Sequence, residues 1–212
     1  MKLPEDSFDA PVIFSLGRWL CRVVLEDFFD LRIFGEENIP STGPCLIVAN
    51  HCSFLDPPLL AAGTGRCIYS FARKTLFKSG PWGWIFRRFL TVPVDLDGGS
   101  DFAAVKTVLR LLKNDQAVIL FPEGTRSPDG KLLPPKRGAG MLAAMTQVPV
   151  VPAYIAGTFA AWGKNGGMPC WFSPVRVTYG KVLFPKDYCN SQNPERHLHI
   201  ANFFMECIAS LA

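Results

Sequence analysis

The chain has 212 residues, 49% hydrophobic and 12% aromatic, but only 19% charged, against about 25% in an average soluble domain. That apolar weight excludes intrinsic disorder, and 22 Lys+Arg against 18 Asp+Glu, a net +4, is too slight an excess for a nucleic-acid binder. No Gly/Ser/Pro-rich linker divides the sequence, so one compact unit with surplus apolar surface is expected.

The N-terminus, Met-Lys-Leu-Pro-Glu-Asp, carries acids where a secretory signal would carry a basic and then an apolar run. Within residues 1–30, Ile13, Leu16, Leu20, Val23 and Val24 recur at helical spacing with Arg18 and Arg22 on the other side, an amphipathic helix ending near Asp27. The body of the chain, residues 31–212, follows as a single unit with it. Residues 31–34 and 45–49 read as strands around the turn-rich Pro40-Ser-Thr-Gly-Pro. Pro57 opens a short helix, residues 67–72 a strand, residues 83–89 a helix and residues 90–94 an extended run. Ser100 then caps a helix through Leu112 with the stripe Phe102, Val105, Val108, Leu109 and Leu112.

Residues 117–121 form a continuous apolar strand, and residues 138–145 a helix of small side chains. Residues 149–155 and 175–182 are two more strands. The last helix takes Asn193 as N-cap, Pro194 in the first position and Glu195 behind it, with the stripe Ile200, Phe203, Phe204, Cys207, Ile208 and Leu211. Apolar strands alternating with helices predict an α/β fold: a mixed, mostly parallel sheet flanked by helices, with chemistry at loops leaving strand ends. Residues 138–163 carry no charge over 26 positions, enough to span a bilayer. Thr146, Gln147, Pro149 and Pro152 interrupt that run, which favours a helix followed by a core strand.

Seven separated cysteines (Cys21, Cys45, Cys52, Cys67, Cys170, Cys189 and Cys207), with no Cys-x-x-Cys pair, argue against a disulfide scaffold or structural zinc and for a reducing compartment. His197 and His199 share no helical face and read as surface residues rather than a metal pair.

Two segments carry chemistry. In Asn50-His51-Cys52-Ser53-Phe54-Leu55-Asp56-Pro57, a base and an acid lie five positions apart after a strand. On one helix they would point about 140° apart; on a tight loop they can meet, with Asp56 holding Nδ1 of His51 and Nε2 free to take a proton from a hydroxyl. A loop histidine beside a helix-capping Asp56 is the alternative. Phe121-Pro122-Glu123-Gly124-Thr125-Arg126-Ser127 also follows a strand, and its glycine, hydroxyls and guanidinium suit an anion. It is no nucleotide P-loop: the glycine spacing to Gly130 is one residue too long, and Lys131 is followed by Leu132. No Gly-x-Ser-x-Gly elbow supplies a serine nucleophile.

Asn-His-x-Ser-x-x-Asp and Phe-Pro-Glu-Gly-Thr-Arg-Ser about 70 residues apart, with Gly35-Glu-Glu-Asn-Ile-Pro before them and Val148-Pro-Val-Val-Pro after, resemble the glycerophospholipid acyltransferase family, in particular its lysophosphatidic acid acyltransferases. The resemblance implies His51 as general base and Asp56 as its partner. It implies that Glu123, Gly124 and Arg126 hold the acceptor's glycerol phosphate, with Thr125 and Ser127 supporting the loop. The donor would be an acyl thioester, acyl-CoA or acyl carrier protein, and the acceptor a lysophospholipid, most plausibly 1-acyl-glycerol-3-phosphate. A thioester is already activated, so no protein nucleophile, metal or cofactor is called for. The family's second motif ends in Asp-Arg, whereas Val92-Pro-Val-Asp95-Leu96-Asp97 has Leu96 there. Arg73 and Lys74, which follow a strand, are the first candidates for the missing charge, with Arg87, Arg88, Lys136 and Arg137 behind them; otherwise the acceptor's head group differs. Glycerol phosphate, another lysolipid and a non-catalytic lipid-binding role are the competing readings.

Trp82, Trp84, Ile85, Phe86 and Phe89 with Arg87 and Arg88 suit a membrane's headgroup region, as do Phe14, Arg18, Trp19 and Arg22 of the first helix. Peripheral or monotopic attachment to the cytoplasmic face of a membrane is the expectation. A buried helix with two surface arginines is the alternative for residues 81–89.

Overall fold

A computed structural model describes residues 10–77, 90–94, 102–163, 167–189 and 195–212. Its strands are β1 (Arg32–Phe34), β2 (Cys45–Ala49), β3 (Ile68–Arg73), β4 (Thr91–Val94), β5 (Ala117–Leu120), β6 (Val150–Ala156) and β7 (Arg176–Tyr179). They form a seven-stranded sheet in the order β1-β7-β6-β2-β5-β3-β4. Only the β6–β7 pairing is antiparallel, so the mixed, mostly parallel sheet read from the sequence is the one observed.

Strand β2 shows why the sheet is covered on both faces. All five of its side chains are buried; Cys45, Ile47 and Ala49 enter one core and Leu46 and Val48 the other, the period-two alternation of a strand. The first core is closed by α1 (Ala10–Phe29) and α2 (Asp56–Ala62) through Leu25, Phe29, Leu59 and Leu60. The second is closed by α3 (Phe102–Lys113), α4 (Arg137–Thr146) and the C-terminal helix Arg196–Ala209, through Val108, Leu111, Leu142, Ile200 and Phe204. The short helices α5 (Thr158–Trp162) and α6 (Pro185–Tyr188) precede the C-terminal helix, which is α7.

Several boundaries differ from the sequence reading. The uncharged run of residues 138–163 divides into most of α4, then β6 and α5, and no helix among the described residues is long and apolar enough to cross a membrane. Strand β7 stops at Tyr179: the Gly180 N–H still donates to the Pro152 carbonyl in register, but Pro152 has no N–H to return the bond, and the chain beyond comes back as a single bridge between Leu183 and Val150. Helix α7 begins at Arg196 with Glu195 as N-cap; Asn193 and Pro194 lie outside the described residues, as do Ser100, the helix read at 83–89 with its tryptophans and arginines, and Asp95, Leu96 and Asp97. His197 is half-buried, its Nε2 accepting an exposed hydrogen bond from Arg196, and His199 is exposed.

Helix α1 presents the reverse of an ordinary amphipathic packing. Its stripe Leu16, Leu20 and Val24, with Trp19 and Phe28, is exposed, whereas Cys21, Leu25 and Phe29 pack on the sheet side. Arg22 is half-buried there and bonds Glu26 and Glu36 at 2.8 Å each. The last turn is fastened by a loop: the N–H groups of Phe172 and Val175 donate to the carbonyls of Phe28 and Phe29, satisfying groups that a helix end leaves open.

Helices α4 and α7 meet at Gly140, where a Cβ would lie 1.9 Å from the His197 carbonyl oxygen. Backbone lies against backbone there, and a side chain has no space to rotate away. Gly140→Ala should therefore destabilise the chain by at least about 1–3 kcal/mol, the cost of overpacking, despite alanine's better helix propensity. Thermal unfolding of the two proteins checks this.

Candidate active site

Strands β2, β3, β5 and β6 run parallel, so their C-terminal ends open on one edge. Residues 50–56 leave β2, Arg73 ends β3 with Lys74 after it, and residues 121–127 leave β5. The topology thus brings His51, Asp56, Arg73, Lys74 and residues 123–127 to a single edge, as parallel sheets do; Arg87 and Arg88 lie outside the described residues.

The loop after β2 is held from three sides. Asn50 continues the sheet with its side chain, Oδ1 accepting the Ile155 N–H at 2.8 Å and Nδ2 donating to the Ile155 carbonyl at 2.9 Å. Ser53 donates through Oγ to the Trp162 carbonyl at 2.6 Å and accepts the Leu55 N–H. Asp56, fully buried in the first turn of α2, accepts His51 Nδ1, the Cys52 N–H and the Ser53 N–H on Oδ2, each at 2.7 Å. The five-residue separation is spanned by a turn that delivers its own amides to the acid, and the helix N-terminus favours a negative charge there.

The His51 side chain remains 18% exposed, and its ring stacks on Phe121 with centroids 4.0 Å apart and planes 14° apart. Since Nδ1 is engaged by Asp56, Nε2 is the nitrogen a substrate hydroxyl can meet. Cys52 is no rival nucleophile: burial and the Asp56 charge push its thiol up to about 12.

The loop after β5 does two things. Outward, Gly124 and Thr125 are exposed, and the Arg126 guanidinium carbon lies 3.6 Å from the centroid of the Phe54 ring, a cation–π contact. Burial lowers the proton affinity of Arg126, Asp56 opposes that, and Arg73 adds to it, so the two arginines share one neighbourhood. Gly124 has φ +65, and a Cβ on it would lie 2.9 Å from Lys136 Cδ and 3.3 Å from Lys136 Nζ; the lysine therefore crosses the loop, a contact that chain distance does not announce. Arg73 and Lys74 are exposed at the same edge.

Inward, Ser127 is buried, its Oγ donating to Asp129 and its N–H to the His51 carbonyl at 2.7 Å. Glu123 Oε1 accepts the His51 N–H at 3.1 Å. An apolar cavity of about 80 Å³ beside α2 is lined by Pro57, Ala61, Ile68, Thr91 and Ile119 among others. Asn50, Ser53, Phe54 and Phe121 complete the site; the sequence displayed all four inside its two motifs, without a signal for their partners.

Burial raises the Glu123 carboxyl from 4.5 to about 7, the His51 and Leu133 amides lowering it and the Asp56 charge raising it further. Between those values the folded chain binds more protons than the unfolded one, so this group's contribution to stability falls as pH rises from 4.5 to about 7. Glu123→Gln should accordingly be more stable than the wild type above that window, by up to about 3 kcal/mol, and gain nothing below it. Urea unfolding at about pH 4 and about pH 8.5 measures the difference.

The Acyltransferase family model matches residues 30–156. The chain is 43% identical over 135 residues to the chloroplastic 1-acyl-sn-glycerol-3-phosphate acyltransferase BAT2 of Brassica napus, covering 62% of this chain but 38% of that protein. It is 31% identical over 177 residues to the 1-acyl-sn-glycerol-3-phosphate acyltransferase of Bacillus subtilis, covering 82% of this chain and 84% of that one. The crystal structure of the 1-acyl-sn-glycerophosphate acyltransferase PlsC from Thermotoga maritima superposes with a TM-score of 0.74 at 29% identity, over 94% of this chain and 76% of that one. With the histidine and acid joined at the sheet edge and the matched region enclosing both loops, the chain belongs to the acyltransferase family.

Proposed function

We propose that the chain transfers a fatty acyl group from an acyl thioester, on coenzyme A or acyl carrier protein, to the free hydroxyl of 1-acyl-sn-glycerol-3-phosphate, giving phosphatidic acid. The observation that carries the reading is the 2.7 Å bond between His51 Nδ1 and Asp56, which leaves Nε2 as a base at a strand end; the names of the relatives supply the acceptor. Nε2 takes the proton of the acceptor hydroxyl as its oxygen attacks the thioester carbonyl. The tetrahedral intermediate collapses with cleavage of the C–S bond, and the imidazolium returns the proton to the departing thiolate. Asp56 keeps the ring in the productive tautomer and stabilises its charged form. Thioester activation makes the scheme complete without metal or prosthetic group.

Arg126, steadied on Phe54, with Arg73, Lys74 and Lys136, gives the acceptor phosphate a cationic neighbourhood. Gly124 and Thr125 leave the loop backbone open to it. The expected result is transfer from acyl-CoA to lysophosphatidic acid in preference to glycerol phosphate or other lysolipids, and a loss of about 10²–10⁴-fold in kcat for His51→Ala. Equal turnover by that variant would remove the assigned base; preference for another lysolipid would change the acceptor.

Peripheral attachment to a membrane forms part of the same reading. The exposed stripe of α1 is extended by the loop fastened to its last turn: Phe28 meets Trp171 edge-on at 5.5 Å and lies 6.2 Å from Phe172, and Trp171 and Phe172 are exposed. Tryptophan and phenylalanine on one outward face suit an interface. The triple variant Trp19→Ser, Trp171→Ser, Phe172→Ser should lose co-sedimentation with phosphatidylglycerol vesicles while keeping its circular dichroism; undiminished binding would refute this surface.

A further inference from the structure

Glu123 sits in the loop whose resemblance points to the acceptor phosphate, yet its carboxyl faces inward. It is 2% exposed, Oε1 takes the His51 N–H at 3.1 Å, the Leu133 amide also faces the carboxyl, and no side chain or backbone group within hydrogen-bond geometry meets Oε2 among the described residues. Four residues on, the Ser127 N–H holds the His51 carbonyl at 2.7 Å. The N–H and C=O of one residue are therefore gripped by one loop, while Phe121 at its start stacks on the imidazole of the same residue.

We propose that Glu123 is a positioning residue: its carboxyl fixes the backbone at His51, so that the imidazole keeps its Asp56 bond with Nε2 turned to the substrate, and it does not bind the acceptor phosphate. The assignment rests on His51 being the general base. Removing the carboxyl leaves the part-buried His51 N–H unpaired and frees the loop to rotate about His51, and misplacement of a base by about 1 Å costs about 10²-fold in rate. A side-chain amide would still accept that N–H, so glutamine should serve where alanine fails.

The test uses the full chain with lysophosphatidic acid and an acyl-CoA, and follows in parallel the low-field proton resonance of the His51–Asp56 hydrogen bond, assigned by its loss in Asp56→Asn. Glu123→Ala, with native circular dichroism, should lose about 10²-fold in kcat and broaden that resonance, while KM for lysophosphatidic acid moves by less than about threefold. Glu123→Gln should restore the resonance and bring kcat to within about threefold of wild type. A rise in KM of about tenfold or more with the resonance intact would put Glu123 on the acceptor, and a kcat loss with the resonance unmoved would end the positioning role. An alanine variant with wild-type kcat would end it too. Should Glu123→Ala not fold, Glu123→Gln decides by the same two readouts: resonance and kcat kept supports the role, while a lost kcat with an unmoved resonance, or a raised KM, overturns it. Absence of acyl transfer by the wild type would overturn the proposed function instead, and the resonance would still report whether Glu123 holds His51.

Discussion

One carboxylate oxygen, Asp56 Oδ2, gathers three donors at 2.7 Å, and the rest of the site is arranged so that this can happen. A fully buried carboxylate is tolerable only where donors replace its water. Two of the three are amides of its own approach turn, so the chain must leave β2 at Ala49 and enter α2 by Asp56 without a spare residue. Pro57 and Pro58, next in the helix, lack the N–H groups that a first turn would leave open. The third donor is the imidazole, which is why a structural requirement and a chemical one coincide in the same pair.

The turn could satisfy Asp56 and still leave the imidazole unsteady. The loop from β5 prevents that by holding His51 at its N–H, its carbonyl and its ring face. That dependence needs β5 beside β2, and they pair in register from Cys45 with Ala117 to Val48 with Leu120. On the other flank β6 supplies Ile155, to which Asn50 bonds through both its amide atoms. The turn that carries His51 is thus an extension of three adjacent strands, with little freedom of its own.

Much of this was legible in the sequence because strand identity and strand ends are local. The continuous apolar runs at 45–49, 117–121 and 149–155 each became a central strand, and both motifs were placed on loops leaving strand ends, which the parallel pairing then brings to one edge. What stayed hidden was direction. Glu123 and Arg126 are three residues apart in one loop, and no periodicity says that the first points in and the second out. Helices α5 and α6 have five and four residues, too few for a helical pattern to register. Helix α1 was visible as amphipathic, but an apolar stripe reads the same whether it covers a core or faces away from one. Only the packing of Cys21, Leu25 and Phe29 on the sheet reveals that Leu16, Leu20 and Val24 are turned outward.

The outward face and the turn that carries His51 are joined by a short chain of hydrogen bonds. The Phe28 carbonyl accepts the Phe172 N–H, the Cys170 N–H donates to the Ala161 carbonyl in α5, and the carbonyl of Trp162, next along, accepts Ser53 Oγ in the turn that carries His51. On the proposed reading, the segment resting on the lipid surface is therefore the one that also braces the catalytic turn. Burial of Trp171 and Phe172 in an interface would order this connection rather than merely hold the protein nearby. The surplus of apolar residues then has a physical reason to be where it is: α1 can turn its greasier face away from the sheet because Cys21, Leu25, Phe29 and two backbone bonds to its last turn hold it there, and on the proposed reading the stripe is left to meet the lipid phase.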